Sequence, residues 1–441
     1  MADKSGVGTM VNEQFELVTD ALDLFGLPVP EKALIAGREQ TYYPVNGSLS
    51  EEGPWEIHVP NESHEFIQLN SICLHGQVKV TKAGGGNIDD AANMSIANNL
   101  PQTLFQQVNV RLNNIVVNDI ANNQYAYKAF IENHYSYGES VKKTTLKACE
   151  AYIKDAVGKE EDFAEDTGLK VRKELIKDGK VLHFIIQIHV DFLKSHRLLL
   201  PGVEMKFEFI KNFLGFPLIT AVADSAKFKL EKLELRLRKI TVEPMVVAAI
   251  ENKLSQSPCF YPIAHSKIRH HLLAANTKNI HIPNMLRGKL PRGFIIFFIG
   301  NEAHSGNSTK NPFFFKNYDL DYMNVYINGE PIHPNPIKMV WNDGSVVNQF
   351  KWMLDNIGLK HYISNGITIE EFAGNSACFP YDLTPDQCNS YQSHGTDTGN
   401  IDIALGFKTP LPEAVQVLVY ATYDEVVAIN KDRAVALITS N

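Results

Sequence analysis

The chain has 441 residues, of which 44% are hydrophobic and 21% charged, and its formal net charge is −8. It is long enough for two domains of about 200 residues each, and its negative charge argues against a surface that wraps nucleic acid, because such surfaces need clustered Lys and Arg. The five cysteines lack CxxC spacing and favour reduced intracellular thiols over a disulfide framework or a zinc site.

Residues 1–53 are predicted to form an N-terminal arm that contains one amphipathic helix. Its apolar stripe consists of Phe15, Val18, Leu22 and Phe25. The stripe has two interpretations: a helix that packs on its own domain, or an arm that contacts a neighbouring subunit or a surface beneath the protein. These four side chains are the candidate arm contacts.

Strand patterns dominate residues 54–244, which we assign to a first jelly roll with a helical insertion. Apolar and polar residues alternate in four runs, as expected for antiparallel strands with one buried face: 55–59, 108–113, 184–192 and 205–209. A fifth run changes phase between Leu230 and Leu233, which predicts a β-bulge.

Helical patterns interrupt these strands at two places, and a third helical pattern follows them. Residues 124–137 are rich in Tyr and Phe and predict a helix. The dense mixed charge of residues 140–180 predicts an exposed insertion, helical or mobile. Residues 245–258 are expected to hold a short inter-domain helix, because Pro244 suits a first turn and Pro258 follows the end of the pattern.

Residues 259–441 are assigned to a second jelly roll. The run 294–299 is apolar on both faces and predicts a central strand. A helix beginning near Val346 places Phe350 and Met353 on one stripe, and alternation over 415–423 predicts a closing strand. Because helices are few and no long βαβ alternation occurs, a parallel Rossmann-type sheet is not expected.

A repeat supports this division into two halves. Residues 108–114 (VNVRLNN) match residues 323–329 (MNVYING), 215 residues apart, and each run ends in an Asn-rich turn. A second echo, 123–125 (NQY) and 348–350 (NQF), opens a helix in each half. A unit of about half the chain therefore occurs twice, and the predicted fold is all-β: two tandem jelly-roll β-sandwiches with short inserted helices.

The search for chemistry yields no catalytic, cofactor or metal site. The nucleotide, zinc-protease and serine-hydrolase motifs are missing. His270 and His271 would point to opposite faces of a strand, so with His265 and His281 they form a weak metal candidate. The pair Asp319 and Asp321 lacks the Gly and Glu of a calcium loop.

Several stretches resemble the double-jelly-roll major capsid proteins of double-stranded DNA viruses, in particular those of Polinton-like and adintovirus-type elements. The resemblance covers about residues 55 to 435 and is carried by 104–113 (LFQQVNVRLN), 125–132 (YAYKAFIE), 135–138 (YSYG), 419–424 (VYATYD) and 431–433 (KDR). These are structural signatures without catalytic content.

The resemblance implies a hexon-like capsomer, a homotrimer with a pseudo-hexagonal outline that tiles an icosahedral shell. Its partners would be further copies, neighbouring capsomers, and penton and minor capsid proteins, and an internal membrane can lie beneath the shell. The protein would reside in the virion after assembly inside the host cell, without direct sequence-specific nucleic acid binding. We expect a large, apolar trimer interface, with Phe313, Phe314 and Phe315 as candidate anchors; the alternative for this run is a domain core.

Two other functions stay open from the residues alone. One is a metal-dependent enzyme built on paired jelly rolls, such as a copper monooxygenase or an amidase. The other is a carbohydrate-binding β-sandwich protein, which would expose aromatic platforms. This chain has three tryptophans, Trp55, Trp341 and Trp352, which are few for that role.

Overall fold

The computed structural model describes residues 32–45, 49, 53–62, 64–118, 124–223, 225–341, 346–357, 364–385 and 397–439. Up to residue 242 its strands are β1 Leu34–Tyr42, β2 Trp55–Val59, β3 Glu65–Lys82, β4 Met94–Ile96, β5 Phe105–Leu112, β6 Ile115–Val116, β7 Val181–Gln187, β8 Leu198–Leu199, β9 Met205–Lys211, β10 Leu218–Thr220 and β11 Ala226–Val242. The helices among them are α1 Leu100–Thr103, α2 Gln124–Ile131, α3 Glu139–Val141, α4 Lys147–Glu150 and α5 Thr167–Ile176. Two π-helical turns, Glu132–Ser136 and Lys142–Leu146, continue α2 and α3.

The rest of the chain starts with helix α6, Pro244–Leu254. Its strands are β12 Cys259–Leu273, β13 Asn279–Lys289, β14 Gly293–Gly300, β15 Leu320–Ile327, β16 Glu330–Pro331, β17 Ile337–Lys338, β18 Phe379–Asp382, β19 Thr398–Phe407, β20 Val415–Ile429 and β21 Val435–Thr439. Its further helices are α7 Asn301–His304, α8 Val346–Asn356 and α9 Ile369–Gly374.

Two antiparallel sheets form the first sandwich. One has the strand order β1-β11-β3-β7, with β8 also paired to β3, and the other has the order β2-β9-β5-β6. Apolar side chains on alternate positions of both sheets point inward, as Val78 and Val80 of β3 and Phe207 and Phe209 of β9 do. The predicted bulge is confirmed, because the pairing of β11 with β3 shifts register between Leu230 and Lys232.

The second sandwich has the same plan. Its sheets have the orders β12-β20-β14-β18 and β13-β19-β15-β16, with β21 paired to β20 and β17 to β15. Each strand occupies the place of a counterpart in the first sandwich: β12 matches β1, β20 matches β11, β14 matches β3 and β15 matches β5. In each half the two facing sheets, each with a main path of four strands, form a jelly roll, so the predicted all-β fold with two tandem jelly rolls is confirmed.

The sequence repeat corresponds to one hairpin in each sandwich. Strand β5 turns into β6 through Asn113 and Asn114, which both have positive φ (44° and 71°). Strand β15 turns into β16 through Asn328 and Gly329, with φ of 51° and 84°. Two consecutive left-handed residues make a two-residue hairpin turn, and Asn and Gly are the residues that tolerate this geometry. The Asn-rich ends of the repeat therefore reflect a turn requirement.

The expected N-terminal arm over residues 1–53 needs a correction. Strand β1, Leu34–Tyr42, pairs with β11 along its length and is part of the first sandwich. Its sequence, LIAGREQTY, lacks clean alternation because β1 is a largely exposed edge strand, so the pattern gave little strand signal. The inter-domain helix was expected at 245–258; α6 begins one residue earlier, at Pro244, where the Glu243 carboxylate caps it by accepting from the Met245 N–H at 2.8 Å.

Three hydrophobic cores hold the molecule together. One fills the first sandwich and a second fills the second sandwich. The third lies between the sandwiches and combines α2 and the loops of the first with the outer surface of the sheet β12-β20-β14-β18. Each fully buried Phe or Leu stabilises the fold by roughly 2–3 kcal/mol, so this third core fixes the two sandwiches against each other.

Candidate functional site

The junction between the two sandwiches is built on an apolar outer sheet surface. In β14, Ile296 and Phe298 point into the core of the second sandwich, whereas Phe297 and Ile299 point away from it into the third core. The ring of Tyr135, in the π-helical turn after α2, lies 5.4 Å from that of Phe297. Helix α2 and this turn therefore cover the outer face of the sheet, which stays dry within one chain.

The Phe run lies inside this junction. Phe313 is 5% exposed and Phe315 is fully buried. The Phe313 ring stacks on Phe130 of α2 at a centroid distance of 4.1 Å, and Phe315 lies 4.8 Å from Phe297. The prediction that this run anchors a second copy is therefore wrong for Phe313 and Phe315, which serve the chain's own core.

Phe314 differs from its two neighbours, because its ring is half-buried and lies under the Lys316 ammonium at 4.7 Å. Its role as an interface residue stays a prediction. The other candidate contacts, Phe15, Val18, Leu22 and Phe25, lie outside the described residues.

A network of buried charges lies beside the aromatic core. Glu132, in the turn after α2, accepts hydrogen bonds from His189 Nδ1 and from Lys194 Nζ, the latter at 2.6 Å. Its other oxygen lies 3.0 Å from the hydroxyl of Tyr420 on β20 of the second sandwich. Burial alone would raise the pKa of Glu132, but the charges of Lys194 and His189 hold it well below its usual range.

Asp191 extends this network across the junction. One of its oxygens accepts from Lys128 of α2 at 2.5 Å and from the backbone N–H of Ser266 on β12 at 2.8 Å. Burial opposes its ionisation, yet Lys128 and Lys194 lower its pKa. Two carboxylates thus face two ammonium groups, and their ion pairs and hydrogen bonds join the two halves of the chain.

A cleft of about 880 Å³ opens over this network. Its floor includes Glu132, Asp191 and Tyr420, and Pro262 and Ile263 of β12 form part of its wall. Both carboxylates on this floor are paired with ammonium groups, Glu132 with Lys194 and Asp191 with Lys128.

A second polar cluster fixes the far end of the helical segment. His134 Nδ1 lies 2.6 Å from the Tyr152 hydroxyl, and its Nε2 lies 3.0 Å from Ser376 Oγ of the second sandwich. Lys142, 2% exposed, donates to the backbone carbonyls of His134 and Asn365. Burial, with the added charge of Lys154, lowers the pKa of Lys142 to about 7.

The charged region 140–180 is only partly the exposed insertion that the sequence predicts. Arg172 of α5 is fully buried, pairs with Asp155 and donates to the carbonyl of Ile96 at 2.8 Å. Asn311 of the second sandwich donates to the other Asp155 oxygen at 2.8 Å. Burial raises the pKa of Asp155 to about 7, although Arg172 opposes this shift.

The sequence pattern missed His189 and Asp191 for a specific reason. Alternation over 184–192 predicted one continuous strand with these residues on its wet face, but β7 ends at Gln187 and residues 191–194 form a 3₁₀ turn. The polar residues then point into the junction. The one signal available was Glu132 at the end of a largely aromatic helix, where a lone carboxylate needs a buried cation.

The weak metal candidates do not come together. His265 is 4% exposed and lies 3.9 Å from Glu425, and His281 lies 3.8 Å from Asp402. Among the described residues, no three His, Cys, Asp or Glu side chains are close enough to share a metal ion. Within the same residues, no helix has the length and apolar character needed to cross a bilayer.

Comparisons with known proteins identify one relative by sequence and several solved structures with a similar fold. No protein-family model matches the chain. An uncharacterized protein of Caenorhabditis elegans is 22% identical over 407 residues, which cover 88% of this chain and 93% of the nematode protein.

Solved structures with the same architecture span nearly the whole chain. The Faustovirus major capsid protein matches with a TM-score of 0.57 and 10% identity over 92% of both chains. The mavirus major capsid protein matches with a TM-score of 0.53 and 7% identity over 100% of this chain and 97% of its own. The fold is that of the viral double-jelly-roll major capsid proteins. A chain of the PBCV-1 virus capsid also matches, with a TM-score of 0.59 and 14% identity over 95% of this chain and 100% of its own.

Proposed function

We propose that this chain is the major capsid protein of a double-stranded DNA virus or integrated element of the Polinton-like or adintovirus type. The observation that carries the proposal is the presence of two complete jelly rolls with the same strand order, fixed side by side by a dry junction. Their match to capsid proteins over more than nine-tenths of the chain supports it. The motifs at 104–113 and 125–132 favour the Polinton-like assignment, and the nematode relative favours a gene that also resides in animal genomes.

The subunit assembles as a homotrimer in this proposal. Three chains supply six similar lobes, which give a pseudo-hexagonal outline and tile a flat facet of an icosahedral shell. Penton and minor capsid proteins, neighbouring capsomers and an internal membrane are the partners it can contact in the virion. The amphipathic stretch of Phe15, Val18, Leu22 and Phe25 would contact a neighbour or the surface beneath. The net charge of −8 leaves genome neutralisation to other proteins.

Light scattering coupled to size exclusion tests this proposal on the full-length protein. We expect a stable species of three times 49.4 kDa and, in negative-stain images, pseudo-hexagonal particles or shells. A protein that stays monomeric at every concentration would contradict the proposal.

The carbohydrate-binding alternative has no support from the tryptophans. Trp55 is 3% exposed in the first core. Trp341 is half-buried with its ring 5.8 Å from Phe372, and Trp352 is half-buried with its ring 5.1 Å from Tyr381. None of the three side chains is exposed, whereas a sugar platform needs an exposed ring face. Metal analysis of the purified protein would distinguish the enzyme alternative from the capsid proposal, because the enzyme requires stoichiometric copper or zinc.

A further inference from the structure

Two neighbouring carboxyl groups link the helical insertion, residues 140–180, to the second sandwich. Asp155 and Asp166 lie within hydrogen-bond reach of each other. Asp166 is fully buried and caps α5, because its Oδ1 accepts from the N–H groups of Ala156 at 2.9 Å and Gly168 at 2.8 Å. Asp155 contacts the second sandwich through Asn311, which donates to its Oδ2 at 2.8 Å. The two carboxyl groups, which we call the carboxyl pair, therefore connect α5 to the second sandwich.

The charges at the carboxyl pair do not balance while both groups are ionised. Within the described residues, the one cation that lies within 4 Å of either group is Arg172, which is fully buried and contacts Asp155 Oδ1. The Asp155 side chain is only 9% exposed, and Asp166 Oδ2 is buried without a hydrogen-bond donor among the described residues. Two buried negative charges beside one positive charge are unfavourable. One proton held between the two groups would remove the excess charge and supply a donor within the pair.

The other ionisable groups nearby do not supply a second cation. The small cavity beside Asp155 is lined by four of them: His134, Lys154, Glu160 and Glu371. Lys154 is paired with Glu371 of α9 at 3.0 Å, and Glu160 adds a further buried carboxyl group. Burial lowers the pKa of His134 well below its usual range, so its ring is neutral. From the second sandwich, Lys310 contacts Glu161 at 3.2 Å.

We propose that Asp155 and Asp166 share one proton and form a pH-sensitive latch, which holds the helical insertion on the second sandwich most firmly in mildly acidic solution and loosens towards neutral pH. Burial raises the pKa of Asp155 from its ordinary 3.8 to about 7. The docked insertion thus binds this proton more tightly than an opened one. Opening should therefore become about tenfold more favourable per pH unit between about pH 4 and pH 7, and level off above that range.

The variant Asp166→Asn tests the latch, because it replaces the shared proton with a permanent donor. Asn caps a helix about as well as Asp, so its oxygen can keep the two backbone hydrogen bonds while its Nδ2 donates to Asp155 at every pH. The measurement is amide hydrogen exchange of the full-length protein at pH 5, 6, 7 and 8. Protection factors, corrected for the intrinsic exchange rate, are compared in peptides that cover residues 153–168.

Wild-type protection in these peptides should fall at least about tenfold between pH 5 and pH 7. Protection in the Asp166→Asn variant should stay constant within about threefold and should exceed the wild-type value at pH 8, since the variant has lost the repulsion between two carboxylates. A residue with only a structural role would not give this gain.

The matched control is Asp162→Asn. Asp162 lies in the same loop, and its Oδ1 also accepts from two backbone N–H groups, those of Ala164 at 2.8 Å and Glu165 at 3.2 Å. This variant should keep the wild-type pH profile. A wild-type profile that is flat from pH 5 to pH 8, or an Asp166→Asn profile that falls in parallel with it, would overturn the latch. Either result leaves the capsid proposal standing, because the mass of the assembled species tests that proposal separately.

Discussion

Lys142 makes stability depend on pH in a way that one substitution can expose. Its pKa is about 7 in the folded chain and near the ordinary 10.5 when unfolded. Between those values the unfolded state binds more protons than the folded state, so stability rises with pH and the gain is complete near the unfolded pKa. Between about pH 7 and pH 9 the rise is about 2 kcal/mol, or about 2 °C in Tm for a chain of this size.

The Lys142→Met variant removes this titration while keeping the volume. It loses the two hydrogen bonds to the His134 and Asn365 carbonyls and also removes the buried ammonium, so the absolute Tm combines two opposing effects. The diagnostic quantity is the change of Tm with pH. In thermal unfolding at pH 7, 8 and 9, the Tm of the wild type should rise relative to the Tm of the variant. All other groups titrate in both proteins and cancel. If the Tm values of the two proteins change with pH in parallel, the idea that the pKa of Lys142 is lowered in the folded chain is refuted.

Three further substitutions, two of them paired with a control substitution, test the junction and the turns by chemical unfolding. Phe313→Ala should cost about 3–5 kcal/mol, because it opens a cavity against α2, while Phe314→Ala should cost under about 1 kcal/mol; equal losses would contradict the burial described above. Gly329→Ala, at φ of 84°, should cost about 1 kcal/mol, whereas Gly84→Ala, in an open loop, should be neutral. Glu132→Gln removes one of the two carboxylates that Lys194 contacts, the other being Asp191 at 3.2 Å, and should cost about 1–3 kcal/mol near neutral pH. Since the folded pKa of Glu132 is depressed, that difference should vanish as pH falls through it, and a pH-independent loss would exclude an electrostatic cause.

Much of the fold could be read from local patterns. Alternation located β2, β5, β9 and β20 among the strands, a phase change located the bulge in β11, and the repeated Asn-rich run located two equivalent hairpin turns. These features succeed because strand period and turn geometry depend on neighbours in the sequence.

The junction could not be read in this way. Nothing local distinguishes Phe313, which stacks on a helix more than 180 residues away, from Phe314, which faces Lys316. His189 and Asp191 continued an alternating run, but their partners on α2, β12 and β20 are set only by the packing of one sandwich on the other. When a residue is buried against a segment that is distant in the sequence, its burial does not produce a periodic hydrophobic pattern in its own segment or in that of its partner.

The dry junction has a consequence for how quickly the proposed trimer can form. Residues 243–258, which include α6, connect the last strand of the first sandwich to the first strand of the second, so the junction closes at an effective concentration far above that of free chains. In the proposed trimer, half of the contacts around the ring are therefore already made in each newly folded chain. Only the other half depend on protein concentration, so the proposed trimer should form once enough subunit has accumulated.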